Sequence, residues 1–194
     1  MNMRRSGQSD RRRFAGRRLS SRALGVATVG AVAALLLSAC GGPSASQTEA
    51  QNLTAGVAAQ KAGDYKTATT DYNKVLAADP KNYRALYDLG DVEQFQHLNS
   101  AAEANYRAAL ALYPNFELAM YNLATLVSSS SPTEAEILYQ QVIKLDPKNA
   151  DAYFNLGYVL NGLGQKTQGQ ADIAKAIALD PSLKSRVAST ATSG

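Results

Sequence analysis

Between residues 47 and 179, small and apolar side chains recur at helical spacing in blocks separated by short polar breaks. Ala68 and Tyr72, Ala102 and Tyr106, and Ala135 and Tyr139 each stand four apart, one turn above another on a helix face. The breaks consist of residues that stop or reverse helices: Gly63-Asp64, Asp79-Pro80, Tyr113-Pro114, a serine run ending at Pro132, Asp146-Pro147, Gly164-Gln165 and Asp180-Pro181. The pattern predicts helices near 47–62, 65–78, 83–96, 99–112, 117–128, 132–145, 150–162 and 166–179. Asn82 and Asn149 stand where helices begin and suit N-caps. Ser131 with Glu134 three residues on has the form of a capping box, and Pro132 takes the first helical position, where its missing N–H costs nothing.

The breaks are periodic. Pro80, Pro114, Pro147 and Pro181 are spaced by 34, 33 and 34 residues. Aligning on them brings Gly56, Gly90, Ala124 and Gly157 into one column, Ala68, Ala102, Ala135 and Gly169 into a second, and Tyr72, Tyr106, Tyr139 and Ile173 into a third. Leu89, Leu123 and Leu156 share a fourth column, in which the first unit has Ala55. This 34-residue helix-turn-helix pattern resembles the tetratricopeptide repeat family. With each proline at position 32, small residues fall at positions 8 and 20, and the large residue at 24 fills the space beside them.

The resemblance implies an all-α, right-handed superhelical α-solenoid of four units, about 49–82, 83–116, 117–149 and 150–183, followed by a short capping helix. The expected cap and a disordered tail occupy 182–194. Unit one, with Asn52 and Ala55 in place of bulky apolar residues, is expected to pack less tightly.

The resemblance also implies where a partner binds. Family arrays take peptides along a concave side lined by the first helix of each unit. Position 5 there holds Leu53, Tyr87, Tyr121 and Phe154, and position 9 holds Val57, Asp91, Thr125 and Tyr158. Position 6 holds Asp88, Asn122 and Asn155, and position 2 holds Arg84 and Asp151. The implied surface is an aromatic ladder with amides for an extended backbone. The same residue types are the family's ordinary filling, so packing within the repeat is the alternative role. The Lys, Asn and Arg clamp by which chaperone-binding members hold a terminal carboxylate is missing, because Leu53 or Tyr87 and Asp151 stand where its lysines belong.

The amino-terminal 39 residues follow another pattern. Residues 1–22 are polar and basic, and 23–39 carry no charge, the layout of an export signal. Leu37-Ser38-Ala39-Cys40 resembles a bacterial lipobox, which implies cleavage before Cys40 and diacylation of its thiol, with residues 40–48 as a flexible tether. Two acyl chains meet the requirement for stable anchoring. The alternative is an uncleaved anchor, although the uncharged run is short for a span of about 20 residues. Both place the body on the outer face of the cell membrane or the periplasmic side of an outer membrane. Arg11-Arg12-Arg13-Phe14 loosely resembles a twin-arginine export motif, and the route stays open.

Charge follows the same division. The formal net charge of +4 comes from the leader, where eight arginines face the single acid Asp10; from Cys40 onward acids outnumber bases, 15 to 12. A nucleic-acid binder needs a basic stripe on its folded surface, and none is predicted. With one Cys and one His (His97), neither an internal disulfide nor a Cys- or His-rich metal site can form, and the residues for nucleophilic catalysis are missing. His97 reads as an exposed turn residue, and Asp88, Asp91 and Glu93 as a solvated helix surface. The expected function is a non-catalytic, membrane-anchored module that binds a protein or peptide, with no cofactor, small-molecule substrate or nucleic acid. Self-association as a structural subunit is the alternative.

Overall fold

The computed structural model describes residues 44–191, with side chains described through Val187; the predicted leader, Cys40 and the start of the tether lie outside them. The described chain runs through α1 (Ala45–Lys61), α2 (Tyr65–Ala78), α3 (Tyr83–Phe95), α4 (Asn99–Leu112), α5 (Glu117–Val127), α6 (Pro132–Leu145), α7 (Ala150–Gly162), α8 (Lys166–Leu179), a 3₁₀ turn Pro181–Leu183 and α9 (Lys184–Ala191). Each predicted helix is present, with ends within two residues of expectation. Odd- and even-numbered helices pair as hairpins, and each pair packs on the next, so the described residues form an all-α solenoid.

The repeated columns account for the pairing. A Cβ built on Gly56 would stand 2.6 Å from the Tyr72 ring, and one on Gly90 would stand 2.9 Å from the Tyr106 ring. At Gly157 it would meet the Gly169 carbonyl and the Ile173 side chain, both at 2.6 Å. The helices of a pair therefore touch backbone to backbone or backbone to ring. Tyr72, Tyr106 and Tyr139 are fully buried, and each hydroxyl has a partner. Tyr72 donates to Gln60 Oε1 at 2.6 Å, Tyr106 donates to Gln94 Oε1 at 2.8 Å, and Tyr139 shares a 2.9 Å bond with the Thr125 hydroxyl. Unit four has Ile173 instead and offers no such donor. Asn161, which occupies the Gln60 and Gln94 column, accordingly keeps a buried Oδ1 without a hydrogen bond.

Of the predicted helix caps, all but one form. Asn82 and Asn149 accept from the N–H of Ala85 and Ala152 at 3.0 and 2.9 Å, and a capping box forms at Ser44 and Gln47. The box predicted at Ser131 does not form, since its side chain makes no cap bond. Glu134 reaches instead across to Arg107, accepting from the guanidinium at 2.6 and 3.0 Å, and so ties α6 to α4. Unit one is looser, as expected: Gly56 is the only buried residue of α1.

At the other end, the predicted cap extends through α9 to Ala191 and occupies the place of a fifth unit's first helix. Leu183 is buried against Phe154 and Ala176, with Val187 packed alongside.

Candidate functional site

The face presented by α1, α3 and α5 is hollow because unit two departs from its neighbours. Units one and three close with Asn82 and Asn149, which donate back to Glu49 and Glu117 at 2.6 and 3.0 Å. In unit two the corresponding pair is Phe116 and Tyr83, packed edge to face at 5.2 Å. The helix that follows, α5, has no side-chain cap, a loss of about 0.5–2 kcal/mol relative to Asn. Tyr113 stands where Asp79 and Asp146 stand in the other units and packs on Tyr83 at 5.0 Å. Tyr87 then meets Phe116 at 4.9 Å and Tyr106 at 5.9 Å. The result is an aromatic cleft of about 460 Å³, closed on the α1 side by Leu53 and Val57 and bordered by Arg84 and Asp88.

A second hollow adjoins it at Val57, Tyr87 and Asp88, and a third adjoins the second at Asp91 and Phe95. The second, about 370 Å³, lies between Val57, Gln60, Tyr65, Tyr87 and Phe95, with Asp88 and Asp91 among its lining residues. The third, about 730 Å³, is lined by Asp91, Gln94, Phe95, His97, Asn122 and Thr125. His97 adopts the left-handed conformation (φ 60°) that Gly63 and Gly164 take at the equivalent turns.

The predicted ladder is thus divided. Leu53, Val57, Arg84, Tyr87 and Asp91 come together around α3, and Asn122 and Thr125 continue the face onto α5. The amides are already engaged. Asn122 donates toward the Tyr87 and Tyr106 hydroxyls and Asp91 at 3.3–3.4 Å, and Asn155 donates to Tyr121 at 2.9 Å. Their Nδ2 groups tie unit to unit, so the expectation of amides standing ready for a peptide is corrected. The Thr125 hydroxyl is likewise held, by the Tyr121 carbonyl and Tyr139.

Unit four is corrected more strongly. Phe154 is 4% exposed, Arg186 of α9 lies over its ring at 4.4 Å, and the same arginine pairs with Asp151 at 2.9 Å. Tyr158 packs against Phe154 at 4.9 Å. Phe154 is therefore covered by the cap, while Asp151 stays exposed and is tied to the cap by that ion pair. Tyr83, Tyr113 and Phe116 were not anticipated as site residues, although their replacement of the acidic and amide residues found elsewhere in those columns was a readable signal.

The floor of the hollow is electrostatically tense. Asp88 and Asp91 lie one turn apart on α3, both half-buried. Burial, with the Asp91 charge beside it, lifts the Asp88 carboxyl to about 6 despite the opposing influence of Arg84. Burial also raises Asp91, against the bond it accepts from Gln60. Tyr87 is pushed up to about 12 by burial and these two charges. A carboxyl raised in the folded state binds its proton more tightly there than in the unfolded chain. Its contribution to stability is therefore complete below the ordinary carboxylate range and lost as pH rises through about 6. Asp88→Asn is expected to melt higher than the parent at pH 7.5, with the two chains converging below about pH 4. Parallel pH-dependent melts give the check, and a less stable variant at pH 7.5 would contradict the burial argument.

Among the described residues, no group of His, Cys, Asp and Glu is placed to hold a metal ion. No described helix is long and apolar enough to cross a membrane.

A hairpin-repeat solenoid with a hollow along its first helices is the class of protein that these features define. Tetratricopeptide-repeat family models match residues 53–93 and 138–171, and the chain carries tetratricopeptide repeats. Human protein O-mannosyl-transferase TMTC3 is 31% identical over 121 residues, 59% of this chain but 13% of that protein, so the chain spans a small part of that relative. The crystal structure of MamA superposes with a TM-score of 0.64 at 22% identity, covering 71% of this chain and 81% of that one. The first TPR domain of Spaghetti (RPAP3), solved bound to the HSP90 peptide SRMEEVD, gives 0.59 at 24% identity over 61% of this chain and 95% of that one. At these identities the two structural likenesses establish the fold.

Proposed function

We propose that the protein is a membrane-anchored adaptor, tethered through diacylated Cys40, that holds an extended segment of another envelope protein during assembly of an envelope or secretion complex. It performs no catalysis in this reading. The observation that carries the binding role is the aromatic cleft of Tyr83, Tyr87, Tyr113 and Phe116, rings packed at 4.9–5.2 Å yet lining open space on a face of the array. Partly exposed aromatic side chains with few rotatable bonds are the usual anchors of protein interfaces. A unit that gives up a helix cap to build such a cleft fits selection for binding. The tether rests on the basic leader, the uncharged run and the lone Cys40. The HSP90 peptide in the Spaghetti structure supports a peptide as the kind of ligand such repeats accept.

Two measurements test the proposal. Crosslinked partners captured from cells by the full chain should fall at least about tenfold for Tyr87→Ala/Phe116→Ala, which removes two anchors worth about 1–2 kcal/mol each or more. Equal recovery by both chains would sink the groove. Separately, Cys40→Ser should move the protein from the membrane fraction to the soluble fraction and abolish incorporation of a labelled fatty acid; unchanged fractionation and labelling would remove the anchor.

A further inference from the structure

Resting on the reading of this face as a peptide groove, we infer that it selects a segment carrying a lysine or arginine beside an apolar residue. The cation is seated over Asp88 and Asp91, and the apolar side chain enters the cleft of Tyr87 and Phe116.

The geometry of α3 carries the argument. Residues 83, 87, 91 and 95 rise along one stripe of the helix, with 84 and 88 beside it, so rings and carboxylates share one face. The two hollows meet at Tyr87 and Asp88, which line both. On the Phe116 side the wall is almost wholly aromatic and apolar. On the other side the 370 Å³ hollow is lined by Val57, Gln60, Tyr65, Tyr87 and Phe95, carries both carboxylates, and has the exposed Lys61 at its edge. Tyr65 and Phe95 stack at 5.7 Å with their planes 8° apart, forming a flat rim. A guanidinium or ammonium group entering there meets carboxylate charge below, which favours a cation, and aromatic side chains beside it that accept its apolar stem.

Arg84 acts on Asp88 through space without pairing to it. Among the described residues, neither carboxylate makes an ion pair within 4.0 Å. Asp91 accepts only from the neutral amides of Gln60 and Asn122. Asp88 accepts no hydrogen bond among the described residues. Two cations stand at the rim. Arg84 is exposed and turns its Nε to the Tyr83 hydroxyl at 3.2 Å, and Lys61 is exposed at the end of α1. Both are exposed, while the acids are half-buried and mutually repelling, as the raised Asp88 carboxyl reflects. An incoming cation relieves that repulsion. An incoming carboxylate adds to it, so the face discriminates by sign as well as by shape.

The test uses the full-length chain in detergent and a library of ten-residue peptides with randomised central positions. Enrichment of Lys or Arg next to an aliphatic or aromatic residue is expected. In synthetic peptides drawn from that set, changing the cation to Gln should weaken binding about tenfold, the factor that one charge-assisted contact supplies. Asp88→Asn/Asp91→Asn, nearly isosteric and checked for unchanged helicity, should bind the Lys and Gln peptides equally. Enriched peptides without a basic residue, or a double variant that still prefers Lys, overturn this inference and leave the groove intact. A library in which nothing is enriched overturns the inference and counts equally against the groove reading.

Discussion

Tyr106→Ala is expected to lower the stability of the array by about 3–5 kcal/mol. Tyr106 is fully buried, stands against Gly90, donates to Gln94 at 2.8 Å and receives the Asn122 amide at 3.3 Å. The substitution removes a ring from a site whose neighbours on both hairpins are fixed, so little collapse can refill it. It also strands the Gln94 oxygen. In a linear array each unit is held by its own packing and by its nearest neighbours. Loss at unit two should therefore uncouple unit one from units three and four. Thermal unfolding followed by circular dichroism should show a midpoint lower by roughly 10 °C and a broadened or two-step curve. Tyr106→Phe, which keeps the ring, should cost only about 0.5–1.5 kcal/mol. If the two variants melted together, the hydroxyl network rather than the ring would be holding the hairpin.

The second large effect is a pair of opposite signs on one helix. A Cβ at Gly157 would stand 2.6 Å from the Gly169 carbonyl and 3.1 Å from the Ile173 nitrogen, both backbone atoms that cannot turn aside. Gly157→Val must therefore drive α7 away from α8, with an expected loss of about 3 kcal/mol or more, at the upper end of over-packing costs. Five residues on, Gly162 has nothing within 4 Å of its Cβ direction, and its φ is not positive. Gly162→Ala should gain about 0.5–1 kcal/mol by restricting the unfolded chain and favouring the helix. Denaturant titrations of the two variants give the comparison. A destabilised Gly162→Ala or a tolerated Gly157→Val would refute the close contact between these helices.

Most of the scaffold is legible in the sequence, because the residues that specify it are local or periodic. Proline spacing locates the hairpins, Asn82 and Asn149 mark helix starts, and the Gly56, Ala68 and Tyr72 columns name the contacts inside each pair. The binding face is less legible for a physical reason. A residue's column says which way its side chain points, but not which side chains of the neighbouring unit lie against it. Asn122 and Asn155 point onto the face as the register requires, yet the tyrosines of the preceding unit take their amide hydrogens. Phe154 points onto it too, but Arg186, 32 residues later, lies over the ring. The cleft arises from three aromatic residues, Tyr83, Tyr113 and Phe116, in columns that elsewhere hold acidic, turn-forming and cap-forming side chains, so a reading against the average repeat passes over it. Ser131 makes no cap bond, and Glu134, whose side chain would have closed the box, binds a guanidinium on the neighbouring hairpin instead.

The lid that α9 lays over Phe154 sets a length scale. With that end stopped by the Arg186–Asp151 pair, open surface runs from α1 to α5, two helix-to-helix steps. Neighbouring helix axes lie about 8–10 Å apart, so the distance is roughly 20 Å. A stretched polypeptide advances about 3.3 Å per residue, and about six residues therefore fill it. The array acts as a ruler: affinity should climb with ligand length to that point and then level off.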